Sequence, residues 1–368
     1  MKCGAACLLV TSLWISCPQA AQAGQVARLV ERTSIRPEGP GYLIDRVASA
    51  YRFPDGTLLV ATWNEGQVLV FAPSGDLTLT VGRTGAGPGE FRAPRGVGPH
   101  GVDFFVWDPA LSRISIFTRS GALASTHRVP LPGRGVLLRD SSIIVLPQQR
   151  HSVARARENL MVRRVTAEGV VDTLFLRPWN YETIRYRIGE RAIVGPQPFD
   201  DGELLAAAPD GYRIVVVSRT ISGEADQSSF SVEAWTPHGE RLFVRRFSYR
   251  PQKVTRQHVE NVLAALQAQA TQDTIARKRA IEANLRVPDY LPPVTSVVAG
   301  EDGSIWIRRE EPTGGSATWM VLDSTGDHVA DIQSPANLMG IWVDRGHILG
   351  ATYDEDWMPT LKVFELIE

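Results

Sequence analysis

Cysteine is nearly absent from this 368-residue chain, and the three that occur, Cys3, Cys7 and Cys17, all lie in its first 17 residues. The rest of the chain has no thiol. That excludes disulfide staples and thiolate metal sites there, so the body must be held by an apolar core. Lysine is also scarce: Lys2, Lys253, Lys278 and Lys362 are the only four, and the other cations are arginines. A net charge of −1 offers no basic face of the kind that nucleic acid needs. Past the leader, no apolar run reaches the roughly 20 residues that span a bilayer. The chain has no Gly-x-Ser-x-Gly elbow, and none of its seven histidines, His100, His127, His151, His238, His258, His328 and His347, is spaced i, i+4 from another. The signatures of a serine hydrolase and of a helical zinc site are therefore missing.

The chain starts with a leader. Lys2, the apolar stretch from Leu8 to Ile15 and the triplet Ala21-Gln22-Ala23 form the pattern of a secretory signal peptide. Cleavage after Ala23 makes 1–23 the signal peptide and 24–368 the mature domain, periplasmic or secreted. The alternative is a lipoprotein leader with Cys17 as the lipidated residue. Trp14 stands where a lipobox usually has Leu, which disfavours it.

A repeat organises the remainder. Residues 55–77 and 100–123 each read as a turn, an apolar strand ending near Trp, a polar loop, an alternating strand ending in Phe, and a Ser-Gly turn. Weaker copies occupy 138–170, 203–242, 294–329 and 338–368. A strand meander repeated about every 40–50 residues predicts a β-propeller, because one small sheet cannot cover both its faces and must stack against the next. Six units predict six blades. The last copy ends after its third strand, so the strand-like segment Val26 to Ile35 is expected to supply its outer strand and close the ring. A closed ring of this kind is expected to be a monomer. Residues 254–286 break the β pattern. Val259, Val262, Leu263, Leu266 and Ala270 form a helical stripe, predicting an α-helical insert between the fourth and fifth blades. Arg277-Lys278-Arg279 in its second half reads as a solvated face, with Glu282 placed to pair with Lys278.

Gly85 to Gly121 resembles the NHL repeat. Gly85, Gly87, Gly89, Phe91, Pro94, Gly96, Val97, Asp108, Arg113, Ile114 and Phe117 match its pattern, and the other units keep little beyond their turns. The whole chain resembles exported bacterial six-bladed propellers of the TolB-like superfamily. That resemblance implies the fold and leaves the function open. In mechanical terms, Phe91 is expected to plug the gap between two blades, and Pro94 to stiffen entry into the inner strand.

Ligand-binding loops on a propeller gather round the axis, and the second-to-third-strand loops share a face with the blade crossings. That places Trp63, Asn64, Asp108, Arg308, Arg309, Tyr353, Asp354 and Trp357 on one face as candidate ligand-binding residues, mixing aromatic surface with both signs of charge. No catalytic residue and no metal ligand is indicated. Gly85 to Gly89 lacks the Lys-Ser/Thr of a phosphate loop, and Pro88 removes a donor. No cofactor is called for; calcium is the one ion that carbonyls and carboxylates converging on the axis could hold. Two functions follow. The first is an exported binding module of the bacterial envelope whose loop face meets a protein, peptide or glycan. The second is a metal-assisted, calcium-type hydrolase or lyase with an axial site. The missing motifs favour the first.

Overall fold

The computed structural model describes residues 28–367, apart from 63–64, 130, 132, 148–159, 178–181, 189–190, 222–227, 269–278, 311–315 and 355. The leader 1–23, Cys17, Trp63, Asn64, Glu355, Arg277 and Lys278 lie outside the described residues.

Six four-stranded antiparallel sheets make the six blades. The first holds Val47–Arg52, Leu58–Thr62, Val68–Phe71 and Leu77–Val81 in that order from the axis outward. The second starts at Gly96–His100, the third at Arg134–Leu137, the fourth at Leu204–Ala207 and the fifth at Ser296–Ala299. The sixth begins at Met339–Val343, continues through His347–Tyr353 and Pro359–Ile367, and takes Arg28–Ile35 as its outer strand. Arg28 opposes Ile367 and Ile35 opposes Leu361, so the two ends of the chain share one sheet as the sequence predicted.

Burial follows position in the blade. The middle strands of the first blade are buried on both faces because a neighbouring blade covers each side. Outer strands such as Arg241–Ser248 alternate between exposed and half-buried residues. The core is a chain of interblade layers: Phe71, Phe91 and Phe117 in one, Trp107 and Ile144 in the next, Phe230 and Ile307, then Trp306 and Trp319.

Two faces result. On one lie the blade-to-blade crossings and the loops between second and third strands; the Thr84 hydroxyl of a crossing donates to the Glu65 carbonyl of such a loop at 3.1 Å. We call this the crossing face. The other, the hairpin face, carries the remaining turns, and there Arg119 of the second blade pairs with Asp55 of the first.

Two insertions extend from crossings. The expected helix runs Arg256–Ala268, capped by Thr255, whose hydroxyl accepts the His258 N–H at 3.4 Å. A further helical turn covers 279–282. The second insertion has no counterpart in the sequence reading: a hairpin of Thr183–Ile188 and Arg191–Pro196 between the third and fourth blades. The insertions dock on each other. Ile281 and Ile184 are both buried, the Gln197 side chain donates to the Asn284 carbonyl at 3.0 Å, and Arg286 pairs with Glu182.

Candidate functional site

The inner strands of all six blades enclose an axial cavity of about 320 Å³. Its side-chain wall is small because the inner strands are built from small residues: Ala48, Ser49 and Ala50, Gly96, Gly135, Ala206, Ala207 and Gly340. Large residues there would fill the ring. Each inner strand is also the edge of its sheet, so one row of its backbone N–H and C=O groups faces the axis without a ladder partner.

Arg134 is the one charged residue among the described residues lining this cavity. It opens the inner strand of the third blade and therefore sits toward the crossing face. Water reaches its side chain, yet the ring surrounds it, and that enclosure pushes its pKa below the ordinary arginine value. Tyr353 lines the same cavity from the sixth blade, and burial raises its phenol pKa against the opposing charge of Arg46. Trp357 packs on Tyr353 with ring centroids 5.2 Å apart. Its backbone holds φ at 61°, a left-handed conformation that costs a bulky residue energy.

The other described candidates, Asp108, Arg308, Arg309 and Asp354, sit on the crossing face but are more engaged. Asp108 is 1% exposed, and its carboxylate accepts four backbone N–H groups, from Arg92, Ala93, Ala110 and Leu111. It brackets the crossing to the loop that follows its own strand. Arg308 donates to the Ala336 carbonyl at 2.5 Å, and Arg309 pairs with Asp331 at 3.2 Å. Asp354 is exposed, and its carboxylate accepts the Asp356 and Met358 N–H groups. Of the six described candidates, only Tyr353 lines the cavity.

The segment from Gly82 to Phe117 is a mechanical assembly. Arg113 donates to the carbonyls of Ala86, Gly87 and Glu90, tying down the glycine-rich crossing. Phe91 is fully buried against Phe117, with centroids 5.7 Å apart. Gly82 has φ of 79°, and a Cβ there would stand 2.3 Å from the Phe91 ring, so only glycine lets the ring seat.

A second group occupies the hairpin-face mouth. The Tyr51 hydroxyl from the first blade donates to Glu301 of the fifth at 3.2 Å. Desolvation, and next the negative charge of Asp210 on the fourth blade, pushes Glu301 up to about 7. Burial also raises Asp210, against the Tyr212 N–H that it accepts. Burial, then the charge of Glu301, raises the Tyr51 phenol far above its usual range. Sequence reading missed these residues and Arg134. Asp210 and Glu301 lie in hairpin turns of separate units, where an acidic residue is ordinary. The signal for Arg134 was a charge opening an inner strand where the other blades open with Val, Gly, Leu, Ser or Met.

The described histidines stay scattered: His258 caps the helix, His328 meets Asp331, and His347 meets Asp344. Among the described residues no three His, Cys, Asp or Glu side chains are grouped to hold a metal ion. No helix among them is long and apolar enough to cross a membrane.

No protein-family model matches the chain, and no curated protein matches it by sequence. Solved structures do. A DUF4221-family protein from Bacteroides vulgatus is 12% identical, over 93% of this chain and 99% of its own, with a TM-score of 0.53. A Bacteroides fragilis protein assigned as exported is 10% identical, over 95% and 97% of the two chains, with a TM-score of 0.49. A streptogramin B lyase is 12% identical, over 94% and 99%, with a TM-score of 0.43. At such identities the likeness is one of fold, and with the six sheets and their shared last blade it makes this chain a six-bladed β-propeller.

Proposed function

We propose that this protein is an exported binding propeller that presents its crossing face to a protein, peptide or glycan. The observation that carries this reading is the Tyr353–Trp357 pair at the cavity. A tryptophan held at φ of 61°, half-exposed and packed on a cavity-lining tyrosine, is strain retained in an aromatic surface. Strain of that kind concentrates at binding sites, and aromatic faces are common anchors for peptides and sugars. The leader supports export, with cleavage after Ala23.

The test is a thermal-shift screen of glycans and peptides, with and without calcium, since native-state binding raises the melting temperature by mass action. A ligand found this way is expected to lose about tenfold in affinity or more in Trp357→Ala, with a smaller loss in Arg308→Ala. Unchanged binding by both variants would reject the crossing face. Stabilisation by calcium alone, reversed by EDTA, would instead favour a metal-assisted hydrolase or lyase with an axial site.

A further inference from the structure

Among the described residues, the axial cavity joins one cation, a row of inner-strand backbone edges and a wall without a second charge. Each narrows the ligand. Arg134 stays protonated at neutral pH despite its enclosure. Among the described residues it has no hydrogen bond or ion pair, and no carboxylate offsets the burial that lowers its pKa. A guanidinium that water reaches, in a ring whose described lining holds no carboxylate, is open to an anion. Its planar fork of donors fits a carboxylate with two parallel hydrogen bonds.

The charge count limits that anion to one negative charge. A dianion would leave its second charge without a partner, and the ammonium of a zwitterion would meet no carboxylate among the residues lining the cavity. The ligand body is therefore neutral. The inner-strand edges offer both donors and acceptors, and a hydroxyl group matches both through a single atom, where an amide needs two. Side chains add little: the Ser49 hydroxyl already accepts the Val97 N–H at 3.4 Å, leaving Ser296 and Tyr353. About 320 Å³ suits one small molecule and stands at the low end of ligand pockets.

We infer that the axial cavity binds a small hydroxylated monocarboxylate, of the uronic or aldonic acid type, with its carboxylate on Arg134 and its hydroxyls on the inner-strand edges. This rests on the crossing face being the binding face, since Arg134 and Tyr353 stand at that end. The carboxylate pairs with the cation, and the backbone edges gain hydrogen-bond partners.

The experiment uses the full mature chain, with glucuronate, galacturonate and gluconate as probes and glucose and galactose as neutral controls. Calorimetry should show at least one acid binding about tenfold or more tightly than the neutral sugars, the effect of one charge-assisted pair. Arg134→Gln should reduce that acid to the neutral sugars' level, and Arg134→Lys should keep part of the preference as a charge without the fork. A readout independent of ligand guards against misfolding. Without ligand, Arg134→Gln should melt at the parent's midpoint, as expected for a water-accessible side chain, which separates a lost site from a lost fold. Three results would overturn the inference: no acid binding at about 10 mM, acids and neutral sugars binding alike, or Arg134→Gln leaving acid affinity unchanged. Should the acids fail while Trp357→Ala still weakens a peptide or glycan hit, the crossing face stands and only the Arg134 site is lost.

Discussion

Glu301 reports the electrostatics of the ring most directly. It is exposed to water at the hairpin-face mouth, yet crowding by protein and the nearby Asp210 move its pKa from 4.5 to about 7. A carboxyl raised on folding holds its proton more tightly in the folded chain than in the unfolded one. Its contribution is thus fully present below about pH 4.5 and is lost as pH rises to about 7. Asp210 and the buried Asp200, both raised chiefly by burial, act in the same direction. Because water screens Glu301, its share should be on the order of 1 kcal/mol. Denaturant melts at pH 5, 6, 7 and 8 should show stability falling with pH, and Glu301→Gln should flatten that fall while raising stability at pH 8. An identical slope in the variant would remove Glu301 as its source. None of this was legible beforehand. Glu301 and Asp210 come from turns of different blades, and only the closed ring makes them neighbours. Arg134 was equally hidden, since a charge in a strand reads as solvent-facing until the strand is known to line an axis.

Among elements, the crossing between the first two blades was the most legible, because its constraints are local. Phe91 reaches back to the Arg83 carbonyl at 2.8 Å, and Gly85 donates to the Phe91 carbonyl at 3.0 Å. Asp108 and Arg113 then clamp the segment from the next blade. Residues this close in sequence leave a motif. The helical insert was legible too, through its apolar stripe. The Thr183–Ile188 and Arg191–Pro196 hairpin was not: it belongs to no blade, so the repeat gave it no place, and its partner Ile281 lies almost 100 residues away. The crossing carries a direct test. Phe91→Ala should destabilise by about 3–5 kcal/mol in denaturant melts, the usual cost of emptying a buried aromatic site. A loss below about 1 kcal/mol would show that the blades close without the plug.

For the whole molecule, the decisive element is the joint between the two ends of the chain. Arg28–Ile35 lies along Pro359–Ile367, so the ring opens only if that ladder breaks. Arg32–Glu365 at 2.6 Å and Lys362–Glu31 at 2.8 Å stitch it, but both pairs are partly exposed and add little. More of the stability comes from the ladder hydrogen bonds and from burial of Ile35, 2% exposed, with Leu29 packed against the last interblade layer. Repeats alone made this joint predictable, since a blade of three strands leaves an edge that must be covered. Removing residues 28–35 from the mature chain should therefore lower stability by about 3 kcal/mol or more. It should also expose the edge of Pro359–Ile367 to a strand from another molecule. Denaturant melts would read the first effect and size-exclusion chromatography the second. A peptide of residues 28–35, added back in excess, should restore the melting temperature as its concentration rises, because it binds the native ring by strand addition. If the truncated chain melts at the parent's midpoint and stays monomeric, the joint does not hold the ring, and the interblade layers alone must close it.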